Sequence, residues 1–164
     1  MKKIINVLTG EVKAAGENAI LKSAAIGSCI VVAAYYPQKN MGAIAHIMLP
    51  GKASKNKSEN KFKYAEDAIN ELLLQLNVNT SKYHDINICL IGGGNVLKRK
   101  DDSICRHNIK SVLEILARKK LKIEAQALGG IKRRSVFFDI AKGEIYFTED
   151  GSKEMLLWKN EDKC

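Results

Sequence analysis

Residues 27–51 read GSCIVVAAYYPQKNMGAIAHIMLPG, and they decide the fold. From Cys29 to Tyr36 every side chain is apolar or aromatic, and Ile30, Val31 and Val32 are β-branched. Pro37-Gln38-Lys39-Asn40 is turn chemistry. Met41 to Leu49 is apolar again except for His46, and Pro50-Gly51 closes the run. Two such runs around a short turn predict a β-hairpin buried on both faces. A turn made of residues 37–40 pairs Tyr36 with Met41, and therefore His46 with Val31 and Cys29 with Met48. Cys29 and His46 then share one face as diagonal neighbours, about 7–8 Å apart at Cα. A two-residue turn at Pro37-Gln38 would set them directly opposite. A slip of one residue would send them to opposite faces.

Outward from this hairpin the chain alternates strands and helices. Upstream, residues 3–8 and 11–15 alternate loosely around Thr9-Gly10, as a short hairpin would, and residues 18–23 suit a third strand. Downstream, residues 52–60 are a polar loop rich in lysine and serine. Ala65, Ala68, Ile69, Leu72, Leu73 and Leu76 then fall on one helical face. Residues 86–91 predict a short strand that ends in Gly92-Gly93-Gly94. A second helix is expected from about Ile104 to Lys119. Asp102 or Ser103 would cap its start, and Ile109, Val112, Leu113, Leu116 and Ala117 form its apolar stripe. Its basic end, Arg118-Lys119-Lys120, suits the negative pole of the helix dipole. Strands are expected at 122–128, 134–139 and 143–148, followed by a tail, 149–164, polar apart from Met155-Leu156-Leu157-Trp158. The pattern predicts one α/β (α+β) sandwich domain over 1–164: a mostly antiparallel or mixed sheet with helices packed on it.

Composition narrows the class. Hydrophobic residues make up 46% of the 164, enough for a core and too many for a disordered chain. The apolar stretch after Met1-Lys2-Lys3 is broken at once by Asn6, Thr9, Gly10 and Glu11, so no secretion signal is expected. No apolar run approaches the roughly 18–20 residues of a membrane span. A soluble, cytoplasmic protein is expected. Cys29, Cys89, Cys105 and Cys164 lack paired spacing, which predicts free thiols and no zinc site. The net charge of +9 reads first as a lysine-rich solvated surface, with attraction to an acidic partner as the alternative. The basic clusters, such as Lys98-Arg99-Lys100 and Lys132-Arg133-Arg134, are dispersed, and aromatics are only 6%, so nucleic acid is not expected.

The chemistry centres on Cys29 and His46. A thiol is mostly protonated at neutral pH, and a neighbouring imidazole can take its proton to leave a thiolate–imidazolium pair. Cys29 follows a Gly-Ser turn at a strand start, which brings backbone N–H groups near any oxyanion. Gly92-Gly93-Gly94-Asn95 lacks the G-x4-G-K-[ST] spacing of a phosphate loop and reads instead as a turn of close backbone approach. His84 and His107 sit in polar contexts and read as solvated, while Cys89 reads as core packing.

Gly27-Ser28-Cys29, a histidine seventeen residues further on, and Ala45-His46-Ile47-Met48-Leu49-Pro50 resemble the chemoreceptor glutamine deamidase family, CheD. The resemblance runs on through Tyr64 to Ile69, Gly92-Gly93-Gly94, Asn108, Gly129-Gly130, Arg134 and Val136-Phe137-Phe138. It implies that Cys29 is the nucleophile and His46 its base. The family's usual threonine six residues before the cysteine is here Ser23, which keeps the hydroxyl and is expected to orient His46. Ala127 stands where an acidic residue is usual, and Arg133 where a glycine is common. The resemblance further implies a fold similar to cytotoxic necrotizing factor-type deamidases and hydrolysis of glutamine side chains to glutamate, with no cofactor or metal. The implied substrates are chemoreceptor cytoplasmic helical domains, and the implied partner is a CheC-type phosphatase. The alternative is a catalytically quiet module that binds chemoreceptors or that phosphatase.

Overall fold

The computed structural model describes residues 1–56 and 58–163; Cys164 lies outside them. The deciding hairpin forms as β4 (Ile30–Tyr36) and β5 (Met41–Ile47). They pair antiparallel with Ile30 opposite Ile47, Val31 opposite His46 and Tyr36 opposite Met41, the register of the four-residue turn. Pro37–Lys39 makes one 3-10 turn, and Asn40 reverses the chain in the left-handed region at φ 48°. An asparagine tolerates that conformation better than most residues.

Around the hairpin assemble β2 (Val12–Gly16), β6 (Asn87–Gly92) and β7 (Lys122–Leu128), in the order β2-β5-β4-β6-β7. A second sheet, ordered β1-β3-β8-β9-β10, comprises β1 (Lys3–Asn6), β3 (Ala19–Ile26), β8 (Arg134–Asp139), β9 (Glu144–Glu149) and β10 (Met155–Lys159). Each sheet is mixed: β1–β3 and β6–β7 are parallel, the other pairs antiparallel.

The unbroken apolar run of β4 is explained by two covered faces. Ile30, Val32, Ala34 and Tyr36 join Ala43, Ala45 and Ile47 against α1 (Ala65–Gln75) and α2 (Ser103–Arg118). Val31, Ala33, Tyr35 and Ile44 instead meet Leu21, Val136, Phe138 and Ile145 of the second sheet. The layers are thus helices, sheet, sheet. Phe138 is fully buried between the sheets, worth about 1.5–3 kcal/mol, and stands edge-on to Tyr35 at 5.8 Å. Gly42 makes room for it, since a Cβ there would collide with the Phe138 ring.

One expectation is corrected. Residues 3–8 and 11–15 do not form a hairpin: β1 pairs with β3 in one sheet and β2 with β5 in the other. Both are edge strands, half-exposed, so neither carries the alternation that would have revealed a separate partner. The residues connecting β1 to β2 run beside β5, where Gly10 N donates to His46 O (2.9 Å) and His46 N to Glu11 O (3.1 Å). The apolar residues of the tail, Met155-Leu156-Leu157-Trp158, lie in β10, and Leu157 and Trp158 pack against the intersheet core. Among the described residues no helix is long and apolar enough to cross a membrane.

Candidate active site

Ser23 and His46 face each other across the two sheets, from β3 and β5 respectively. Both are 1% exposed. Ser23 Oγ lies 2.7 Å from the Val7 carbonyl oxygen and 2.8 Å from His46 Nδ1. Proton accounting fixes the tautomer. A carbonyl can only accept, so the single hydroxyl proton of Ser23 goes to Val7. His46 must then donate Nδ1–H to Ser23 Oγ, which leaves the lone pair on Nε2. Nε2 is buried and has no hydrogen-bond partner. An imidazole held by one nitrogen with the other unoccupied is oriented to accept a proton.

Cys29 occupies a bend just ahead of β4 and is half-buried. Its side chain packs against the intersheet cluster that contains Val31, the residue opposite His46. The hairpin therefore brings Cys29 and His46 to the same side of the sheet, as the register requires. Burial pushes the Cys29 thiol up, opposed by a hydrogen bond from its own backbone amide. Burial pushes the His46 imidazole down to about 4, opposed by the Val7 carbonyl. Both shifts favour the neutral form of each group taken singly.

The backbone carrying Cys29 is braced from two directions. Gly93 N donates to Cys29 O (2.8 Å) and Gly94 N to Gly27 O (2.9 Å). Gly92 (φ 125°) and Gly93 (φ 68°) take conformations that side chains resist, and a Cβ on Gly92 would overlap the Cys29 carbonyl. The glycine triplet is thus the close-approach turn its sequence suggested. Arg134 holds it from behind, with Nη1 2.7 Å from Gly129 O, Gly129 N bonded to Gly92 O, and the guanidinium paired to Glu149 at 3.2 Å.

On the other side stands Asn108, fully buried on α2. Its Nδ2 donates to Ser28 O (2.9 Å) and Met48 O (3.1 Å), clamping the residue before Cys29 to the segment after His46. Two carbonyl acceptors settle the amide's orientation. The sequence did carry a signal for this clamp. Asn108 is polar, yet it lies one turn before Val112 on the apolar face of α2. Arg134 was visible only through the family resemblance and Glu149 left no signal, because their pairing needs the β8–β9 register.

Of the other candidates, Cys89 is buried in β6, its thiol pushed up to about 12 by desolvation. His84 and His107 are exposed. Cys105 is buried and lines, with Cys29, a cavity of about 370 Å³. Among the described residues no group of three or more His, Cys, Asp or Glu is placed to hold a metal ion.

The family model described as CheD chemotactic sensory transduction matches residues 48–149, more than half of the chain. The chain belongs to the CheD family. The "Probable chemoreceptor glutamine deamidase CheD" of Chlorobium luteolum is 35% identical over 150 residues, covering 92% of this chain and 75% of that protein. The "Chemoreceptor glutamine deamidase CheD" of Thermotoga maritima is 30% identical over 156 residues, covering 95% and 97%. The CheD model match begins at Met48, just past His46, whereas these two relatives extend over nearly the whole chain.

Proposed function

We propose that this protein deamidates glutamine side chains of chemoreceptor cytoplasmic helical domains, with Cys29 as nucleophile, His46 as base and Ser23 as the residue that positions His46. Family membership supplies the activity class. The single observation that carries the residue assignment is the buried Val7–Ser23–His46 chain, which leaves Nε2 as a free acceptor on the Cys29 side of the sheet.

The neutral resting pair shapes the mechanism. Two desolvated groups of opposite charge would have to be created in a buried site before substrate arrives, and burial opposes both. Proton transfer therefore accompanies attack. Nε2 takes the thiol proton as Sγ bonds to the carboxamide carbon, and the carbonyl π electrons move to oxygen. The Cys29 amide, already directed at its own Sγ, is the proposed oxyanion donor. As the tetrahedral adduct collapses, the imidazolium returns its proton to the nitrogen and ammonia leaves. Water, deprotonated by Nε2, then attacks the thioester, releasing glutamate and restoring the thiol. The sum is one carboxamide plus one water giving one carboxylate and ammonium. A cytoplasmic location and a CheC-type phosphatase as regulator complete the proposal, supported by the family resemblance.

The test is mass spectrometry of a chemoreceptor cytoplasmic fragment incubated with the reduced protein. Wild type should add about 1 Da at particular glutamines, the mass change of amide hydrolysis. Cys29→Ala should add none, and His46→Ala should lose nearly as much, because residues acting as a unit fail together. A wild type that binds the fragment while leaving every glutamine intact would favour the quiet binding module instead.

A further inference from the structure

The cavity that Cys29 opens into is walled by two kinds of group. Leu97 and Ile104 are large apolar side chains left 69% and 40% exposed. Arg99 and Arg133 are exposed cations from two different loops that converge on the same opening. Among the described residues neither guanidinium is in an ion pair. The hydrogen bonds of these two arginines are made by their backbones: Arg99 N donates to Asn95 Oδ1 and Arg99 O accepts from Asn95 Nδ2, while Arg133 N donates to Asp150 Oδ1 and Arg133 O accepts from Asp150 N. The carboxylate on the wall, Asp101, is already engaged: it accepts from Ser103 N at 2.9 Å at the first turn of α2, and Arg106 and His107 add to the attraction that holds its pKa down. The opening therefore presents a net positive charge, two guanidiniums against one carboxylate, beside apolar surface, on a chain whose net charge is +9.

We infer that Arg99 and Arg133 select the glutamine to be modified: the segment that fits this mouth is amphipathic and carries carboxylates within about one helical turn of that glutamine. An apolar face covers Leu97 and Ile104, and the carboxylates meet the two guanidiniums as the glutamine side chain descends toward Cys29. Charge of one sign around a concave site raises local substrate concentration and penalises basic segments. This inference rests on the deamidase reading and adds to it the basis on which one glutamine is chosen over another.

The probe is a chemoreceptor cytoplasmic fragment, with the rate at each glutamine followed by mass spectrometry. Wild type should modify a glutamine with a glutamate within four residues faster than the same glutamine after that glutamate is changed to alanine, by about three- to tenfold, the range of one or two exposed ion pairs. This ratio should fall toward one in Arg99→Ala/Arg133→Ala. In wild type it should also shrink as sodium chloride is raised, because exposed pairs are screened. A ratio that survives both the double substitution and high salt would overturn the inference while leaving the deamidase reading intact. Absence of deamidation at every glutamine by wild type would overturn both.

Discussion

The buried neutral imidazole should make this protein's stability depend on pH in a way that one substitution abolishes. His46 has a folded pKa of about 4 against an ordinary value of 6.5. Between these values the unfolded chain binds a proton that the folded chain refuses. Its contribution is therefore neutral above the ordinary value, becomes a penalty as pH falls through it, and is fully developed only below the folded value. From about pH 7 to about pH 5, this linkage removes about 2 kcal/mol of stability, and by about pH 4 the loss is about 3 kcal/mol. Other groups titrate in the same interval, but their contributions are shared by wild type and His46→Gln, so the difference between the two isolates the imidazole. Urea unfolding at a series of pH values in constant salt gives both curves. The variant should start less stable at neutral pH, since Ser23 loses its Nδ1–H donor, and should lose about 2 kcal/mol less than wild type on acidification to about pH 5. Parallel curves would refute the argument: they would mean that His46 accepts its proton in place and that the ion pair, rather than the neutral pair, is accessible in the resting protein.

Two further substitutions probe the supports of the site. Ser23→Ala should lower turnover at least about tenfold, a smaller loss than the roughly 10²–10⁴ that a general acid–base group itself contributes, because Ser23 only positions His46, while Ser23→Thr, which keeps the hydroxyl, should be tolerated; full activity in Ser23→Ala would remove Ser23 from the site. Asn108→Leu strips the donor shared by Ser28 O and Met48 O and should cost about 2–4 kcal/mol in urea unfolding from two unsatisfied carbonyls. It should also change the rate at which iodoacetamide alkylates Cys29, and unchanged stability together with an unchanged alkylation rate would show that the clamp is dispensable.

What the sequence made legible was set by how locally each feature is encoded. The β4–β5 register follows from two apolar runs and a turn of fixed length, so the relation of His46 to Val31 could be worked out by pairing arithmetic before any coordinates existed. The helices were readable because each buries one stripe against one sheet. The partition of the strands into two sheets was not readable, because an edge strand such as β1 or β2 buries too little to advertise its partner. The same limit separates the site's parts. Cys29 and His46 lie on one hairpin and were visible as a pair. The contact that gives His46 its tautomer comes from Ser23 on the opposite sheet and from Val7 on the strand crossing, and only the stacking of the sheets brings these together. Protonation was less legible still. Residue identities alone suggest an ion pair, since a neighbouring imidazole can take the proton of a thiol where the site stabilises the charges. Burial in the sandwich pushes the thiol up and the imidazole down, and the proposed mechanism accordingly has the nucleophile activated only as the substrate is attacked.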